Sequence, residues 1–188
     1  ETMEALITIV RSGKALYAGI SKYPPELQAK AYAILSEAHV PCLLSQYRAS
    51  IFDTQAIENN FQPAAAAGSG VICFSPLAQG LLTRKYFNGI PADSRAAKST
   101  GFLQESQVTP ERVEAAKELN AIAERRGETL AAMAINWLLA DQRVTSVIIG
   151  ASSVRQLKAN IDGLRAESFT PDDLVDIYRI AHRPGIQF

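Results

Sequence analysis

Apolar residues recur along this chain in two alternating rhythms. Met3, Leu6, Ile7 and Val10 fall at helical spacing, so a helix is expected over Thr2 to Ser12, ended by Ser12-Gly13-Lys14. Ala15 to Ile20 (ALYAGI) is dense in apolar residues without polar alternation, as in a short buried strand. Pro24-Pro25 opens a second helix, since proline is tolerated in the first turn, and this helix is expected to reach Ala38. Val40 to Ser45 (VPCLLS) reads as a second buried strand. A third helix is expected from Thr54 to Ala67, closed by Gly68 and Gly70, and Gly70 to Phe74 (GVICF) as a third strand. A long segment follows, Ser75 to Thr109, carrying Gly80, Gly89, Pro91 and Gly101. Thr109-Pro110-Glu111 starts a fourth helix that ends at Gly127, and Thr129 to Ala140 reads as a fifth. Val144 to Ile149 (VTSVII) is the fourth strand, Ser153 to Leu164 a sixth helix, and Thr170 caps a seventh that runs to Ala181.

Strands that alternate with helices and read as buried on both faces imply an α/β fold of parallel β/α units, joined by right-handed crossovers. In such folds ligands meet the loops at the carboxyl ends of the strands. Those positions are Ser21-Lys22, Gln46-Tyr47, Ser75 to Tyr86 and Gly150 to Ser153. A loop as long as Ser75 to Thr109 inside a compact domain is usually functional.

Composition narrows the picture. The chain has 188 residues and 20.4 kDa, with 47% hydrophobic content, which suits a single domain over 1–188. Lys and Arg total 19 and Asp and Glu total 19. A zero net charge argues against a nucleic-acid module or a polybasic membrane binder. A whole eight-unit β/α barrel needs about 250 residues, or at least ~200, so one complete barrel is excluded. Cys42 and Cys73 sit inside apolar runs and read as buried thiols. No apolar run approaches the ~18 residues of a membrane span, and no signal peptide opens the chain, so a cytoplasmic protein is expected.

The strand ends carry uncharged hydrogen-bonding groups, one aromatic ring and glycines. Ser21 and Gln46 close adjacent strands, where they could hold a planar carboxamide or simply satisfy local backbone groups. Phe74 offers a ring face to a flat heteroaromatic. Beyond it, backbone amides with Thr83, Arg84 and Lys85 could cradle phosphates, or form an ordinary solvated basic loop. Gly150-Ala151-Ser152-Ser153 joins a strand to a helix start, which is either an anion site or a plain serine cap. Gln156 and Asn160 follow four apart, on one helix face. His39 and His182 are the only histidines and have no metal-ligand spacing around them, so no metal site is expected. The motifs GxGxxG, GxxxxGK[ST] and GxSxG do not occur.

Three runs, SGKALYAGIS, SPLAQGLLTRKYFNGIP and VTSVIIGASSVRQLKANI, resemble the aldo-keto reductases. The nearest branch resembles the bacterial glyceraldehyde 3-phosphate reductases and the potassium-channel β-subunits. The similarity runs from about Thr2 to Ile180, and the runs fall in family order at strand ends. The resemblance implies a (β/α)8 TIM barrel of which this chain is the C-terminal half, strands five to eight. It implies an NADP(H)-dependent reductase that converts aldehydes and ketones, small-molecule carbonyl substrates, to alcohols by hydride transfer.

By that resemblance, Ser21 and Gln46 would bond the nicotinamide carboxamide. Phe74 would stack in the place of the family's usual tyrosine or tryptophan. Ser75, Leu77, Gln79, Gly80, Leu82 and Lys85 would line the pyrophosphate loop. Gly150, Ser152, Gln156 and Asn160 would hold the adenosine 2′-phosphate and the adenine. Three residues depart from the pattern: Lys22 where a short residue such as asparagine is common, Arg84 where glycine is usual, and Gln156 where many relatives have arginine.

The family's catalytic Asp, Tyr, Lys and His come from the ends of strands two to four, ahead of the first residue here, so no catalytic residue is assigned. The tyrosines Tyr17, Tyr23, Tyr32, Tyr47, Tyr86 and Tyr178 do not match the catalytic position. Tyr47 to Phe52, Tyr86 to Arg95 and the tail from His182 are candidates for the substrate side. The open sheet edges invite pairing with another chain, including a second copy. A non-catalytic assembly module or a truncated gene product are the alternative readings. No nucleic-acid or membrane partner is expected.

Overall fold

The structure is a computed structural model describing residues 1–92, 94, 96, 97, 102–165 and 167–188, without the side chain of residue 165. Arg95 and Gly101, named above in the long segment, lie outside these residues. The elements are α1 (Thr2–Arg11), β1 (Ala18–Ser21), α2 (Pro25–Glu37), β2 (Cys42–Arg48), α3 (Gln55–Asn59) and α4 (Phe61–Ala66). They continue with β3 (Gly70–Phe74), α5 (Pro110–Arg125), α6 (Leu130–Leu139), β4 (Val144–Ile148), α7 (Val154–Asp162) and α8 (Pro171–Ala181). Short 3-10 turns punctuate the segment between β3 and α5.

Helix starts lie where local chemistry places them. The hydroxyls of Thr109, Thr129, Ser153 and Thr170 each accept an N–H from the first turn that follows. Pro25, Pro110 and Pro171 occupy opening positions that need no N–H. The helix expected from Thr54 to Ala67 is instead two helices meeting at Asn60. Pro63 lacks the N–H that would bond the Asn59 carbonyl. Asn60 also turns inward, donating to Gln28 Oε1 at 2.6 Å and to the Tyr23 carbonyl at 3.1 Å.

All four strands are parallel, in the order β1-β2-β3-β4. Two strands lie later than the apolar runs suggested. Leu16 and Tyr17 are exposed, and β1 starts at Ala18 because pairing with Cys42 begins there. Strand β2 extends through polar Gln46 to Arg48, because β3 pairs along it up to Arg48↔Phe74. A strand's extent is set by its partners as well as by its own apolarity.

The expectation that both faces of the sheet are buried is corrected by the structure. Ala18, Ile20, Tyr47, Val71 and Cys73 point into the helix layer and are buried. Gly19 and Ser21 of β1, Leu44, Gln46 and Arg48 of β2, Gly70, Ile72 and Phe74 of β3, and Ser146 and Ile148 of β4 are half-buried or exposed. Helices cover one face only, and the opposite face is the one that lines the interior of a closed barrel. The largest core joins α5, α6 and α8 to Ile51, Phe52, Leu81, Leu82 and Tyr86. Both cysteines are free and buried, and burial, followed by the nearby Asp141 charge, pushes the Cys73 thiol up to about 12.

No helix among the described residues is long and apolar enough to cross a membrane. No group of three or more His, Cys, Asp or Glu that could hold a metal occurs among them either.

Candidate functional site

The segment after β3 folds against local preference. Ser75, Ala78 and Gln79 have φ of 57°, 46° and 59°, and Gly80 has 105°. Left-handed backbone costs a residue with a Cβ about 1–2 kcal/mol, and such outliers gather at functional sites. The conformation is held from two sides. Backbone N–H groups of Ala78, Gly80 and Leu82 donate to the carbonyls of Ser75, Leu77 and Leu77 at 2.9, 2.8 and 3.1 Å. Gln79 Nε2 donates to Ser75 Oγ at 2.9 Å, and the Thr83 hydroxyl donates to the Gly80 carbonyl at 2.6 Å. Ala78, Leu81, Leu82 and Tyr86 are meanwhile sunk in the largest core. Lys85 stays exposed beside them, its N–H donating to Thr83 Oγ1 at 3.2 Å.

A second wall rises from the end of β4. Ser153 caps α7, accepting the Gln156 N–H at 3.2 Å. Ser152 donates to Gln156 Oε1 twice, from its N–H at 2.8 Å and its hydroxyl at 3.1 Å. The serine cap is thus present, and the first-turn N–H groups ahead of Gln156 have no acceptor within the helix.

Between the walls lies a cavity of about 530 Å³. Of the residues singled out from the sequence, Phe74, Ser75, Leu77, Gln79, Gly80, Lys85, Gly150, Ser152 and Gln156 line it, as does Thr83. Pro76 and Tyr86, inside the strand-end run Ser75 to Tyr86, also line it, and so do Ile148 and Ile149, which the sequence did not single out. The signal for Ile148 was available in principle: it is the register partner of Phe74, so the two close neighbouring strands at one level.

Four of the singled-out residues lie elsewhere. Ser21 and Gln46 are register partners, and Ser21 Oγ donates to Gln46 Oε1 at 3.0 Å. Lys22 follows with φ 60°, its N–H on the Gln46 carbonyl at 2.9 Å. Asparagine tolerates that backbone better than lysine does, a physical reason for a short residue at this position. Leu82 is fully buried, so its side chain packs the loop from beneath. Asn160 is buried one turn beyond Gln156, and its Nδ2 has no partner among the described residues. An unpaired buried amide donor costs about 1–3 kcal/mol, so it is an unspent donor beside the second wall.

Arg84 reaches Glu124 at 3.7 Å. Tyr47, in β2, and Ile51 and Phe52, in the loop that follows, are buried, and burial raises the Tyr47 phenol above its ordinary range. His182 stacks on Tyr178 with ring centroids 3.9 Å apart and lies 3.3 Å from Glu58. A second hollow of about 570 Å³ opens at the other end of the sheet, lined by Tyr32, His39 and Cys42 among others. It is slightly larger, but it lies at the amino end of β2. The carboxyl-end cavity is the stronger candidate because ligands in parallel β/α folds bind there.

Known proteins agree with this architecture. The sequence pattern described as "Aldo/keto reductase family" matches residues 1–181. The L-glyceraldehyde 3-phosphate reductases of Escherichia coli K12 and O157:H7 are 41% and 40% identical to the chain over 190 aligned positions. Each alignment covers 94% of this chain and 52% of the relative, so the chain spans about half the length of these curated relatives. The glycerol dehydrogenase of Gluconobacter oxydans superposes with a TM-score of 0.75 at 22% identity, over 96% of this chain and 53% of that one. An aldo-keto reductase of Bacillus halodurans in its holo form superposes with a TM-score of 0.68 at 24% identity, over 96% and 55%. The four parallel β/α units therefore correspond to the C-terminal half of a (β/α)8 barrel, and the chain belongs to the aldo/keto reductase family, a family of oxidoreductases that generally bind a nicotinamide cofactor.

Proposed function

We propose that this chain is the cofactor-holding half of an NADP(H)-dependent carbonyl reductase acting on small aldehydes or ketones. The observation that carries the reading is the cavity at the ends of β3 and β4, with its two polar walls. Three strand spacings separate β1 from β4, about 14 Å, so an extended dinucleotide would run along one row of strand ends. At the β1–β2 end, Ser21 and Gln46 would exchange their mutual bond for the carboxamide of the nicotinamide. Phe74, ending β3, would offer its ring face. Lys85 and the Ser75–Gly80 backbone would meet the pyrophosphate. The α7 start, with Ser152 and Gln156, would meet the 2′-phosphate, and the unspent Asn160 amide suits an acceptor on the adenine.

The bound nicotinamide supplies the hydride, and the residues of this chain orient it. By the family resemblance, the acid that protonates the carbonyl would be none of the residues lining this cavity and, with much of the substrate pocket, would come from outside these 188 residues. The E. coli relatives are named for glyceraldehyde 3-phosphate, so a short, polar carbonyl compound is the proposed substrate class. The two free thiols fit a reducing, cytoplasmic setting.

The test is calorimetric titration of the chain with NADPH. Single-site binding is expected, weakened about tenfold by Lys85→Ala, which corresponds to one charge-assisted contact. Absence of binding, or binding unaffected by Lys85→Ala and by Gln156→Glu together, would overturn the proposal.

A further inference from the structure

Two arginines lie over the ring of Phe188, and they are used differently. The Arg112 guanidinium is 4.1 Å from the ring centroid and that of Arg48 is 5.6 Å from it. Arg112 spends all three of its nitrogens inside the protein. Its Nε donates to the Ile186 carbonyl at 3.0 Å, its Nη1 to that of Gln107 at 3.0 Å and its Nη2 to that of Gln187 at 2.7 Å. Arg48 spends one. Its Nε lies 2.5 Å from Oδ2 of the buried Asp53, and its two Nη groups have no hydrogen-bond or ion-pair partner among the described residues. Asp53 is itself held in a tight turn, exchanging backbone bonds with Ser50 at 3.0 and 3.1 Å. The Arg48 guanidinium is therefore positioned by a carboxylate and a ring, yet it is half-exposed and its outer edge is open. Two parallel N–H groups of this kind match the paired oxygens of a phosphate or a carboxylate.

The place of Arg48 on the sheet indicates what such an anion would belong to. Arg48 ends β2 two residues after Gln46, so the two share a sheet face, about 6–7 Å apart along the strand. It is also the register partner of Phe74, one strand spacing away. Gln46, Arg48 and Phe74 all lie on the face that the helices leave open. Lys22 closes β1 beside them, with its N–H on the Gln46 carbonyl. Across 21–22 and 46–54, Asp53 is the single carboxylate against the two cations Lys22 and Arg48, so this end of the row carries a net positive charge.

We propose that Arg48 is a specificity-determining residue of the substrate site, and that the carbonyl substrate carries an oxyanion, phosphate or carboxylate, gripped by the free Nη pair. This rests on the reading that Ser21, Gln46 and Phe74 hold the nicotinamide. Under that reading the group that receives the hydride approaches the same strand ends, and a short substrate brings its other end to Arg48. Asp53 and Phe188 are positioning residues: they hold the guanidinium before the anion arrives, which lowers the ordering cost of binding.

The test is calorimetric titration of the chain with glycerol 3-phosphate, glycerate and glycerol, with and without NADPH. One-to-one binding of at least one of the two anions is expected, at least tenfold tighter than glycerol, and the tighter of the two tells phosphate from carboxylate. Arg48→Met combined with Asp53→Asn, which leaves no buried carboxylate unpaired, should weaken that binding at least tenfold. Arg48→Lys keeps a cation beside Asp53 but lacks the fork, and should weaken it by a smaller factor. NADPH affinity should not change in either variant, and circular dichroism would show that both fold. Anion binding lost in these variants would support the assignment even if NADPH failed to bind, and that failure would count against the cofactor reading alone. Glycerol binding as tightly as the anions, anion binding indifferent to both variants, or an equal loss of NADPH binding would each overturn the proposal.

Discussion

The two walls of the strand-end cavity are built on opposite principles. The loop wall, Ser75 to Tyr86, adopts unfavourable backbone angles and is held in them by Ala78, Leu81, Leu82 and Tyr86 buried in the main core. The α7 wall has ordinary helical geometry and a serine cap, yet Asn160 is its only buried residue. One wall is determined by packing and can sustain strain. The other is determined locally, by a cap and one amide–serine exchange, and leaves its apolar stripe, Val154, Leu157 and Ile161, uncovered. Burial on one side is therefore what makes a shaped loop affordable, whereas the α7 wall is incomplete as packing until something covers it.

Four experiments test this contrast, in decreasing order of effect. Leu82→Ala should cost the most, roughly 2–5 kcal/mol in chemical denaturation, because a fully buried leucine leaves a cavity under the strained loop. A cost below that of the α7 substitutions would break the comparison.

The second experiment concerns Asp173, at the start of α8 in the same core block. Burial opposes its ionisation, but hydrogen bonds from Thr170 and the Arg126 guanidinium at 3.0 Å outweigh this and hold its carboxyl below the usual range. A depressed folded-state pKa contributes stability at neutral pH, and that stability is lost as pH falls below the ordinary aspartate value toward the folded one. Acid titration of thermal stability should show this loss, and Asp173→Asn should lower stability at pH 7 by roughly 1–3 kcal/mol while flattening the acid dependence.

Third, Ser153→Ala should remove the α7 cap and cost about 1 kcal/mol, read as a lower melting temperature together with weaker NADPH binding. Last, Leu157→Ser should change stability by less than about 0.5 kcal/mol, as expected at an exposed position. A larger loss would mean that α7 is already covered in solution.

Much of the fold was legible because its signals are local. Thr109, Thr129, Ser153 and Thr170 cap helices through atoms three residues away, so the start of each could be read from the chain. The break at Asn60 was less legible, because it combines the missing N–H of Pro63 with a bond to Gln28, distant in sequence. Burial of both sheet faces was misread because an apolar run looks the same whether one face or two are covered. In the site, the residues that follow directly on β3 and β4 gather as expected, since strand ends in a parallel sheet come together by topology. The inward turn of Leu82 and the orphaned amide of Asn160 were not legible, because both depend on what lies across the helix layer.

By itself, then, the sequence determined the alternation of strands and helices, the caps, the family resemblance and the strand ends at which chemistry would collect. All of these rest on short-range spacing and backbone propensity. Only the tertiary structure decided which residues share the cavity, that the loop is strained and braced, and that one sheet face and the α7 stripe stand uncovered. Those properties depend on contacts between residues far apart in sequence, and burial belongs to the packed assembly of elements, which no single run of residues encodes.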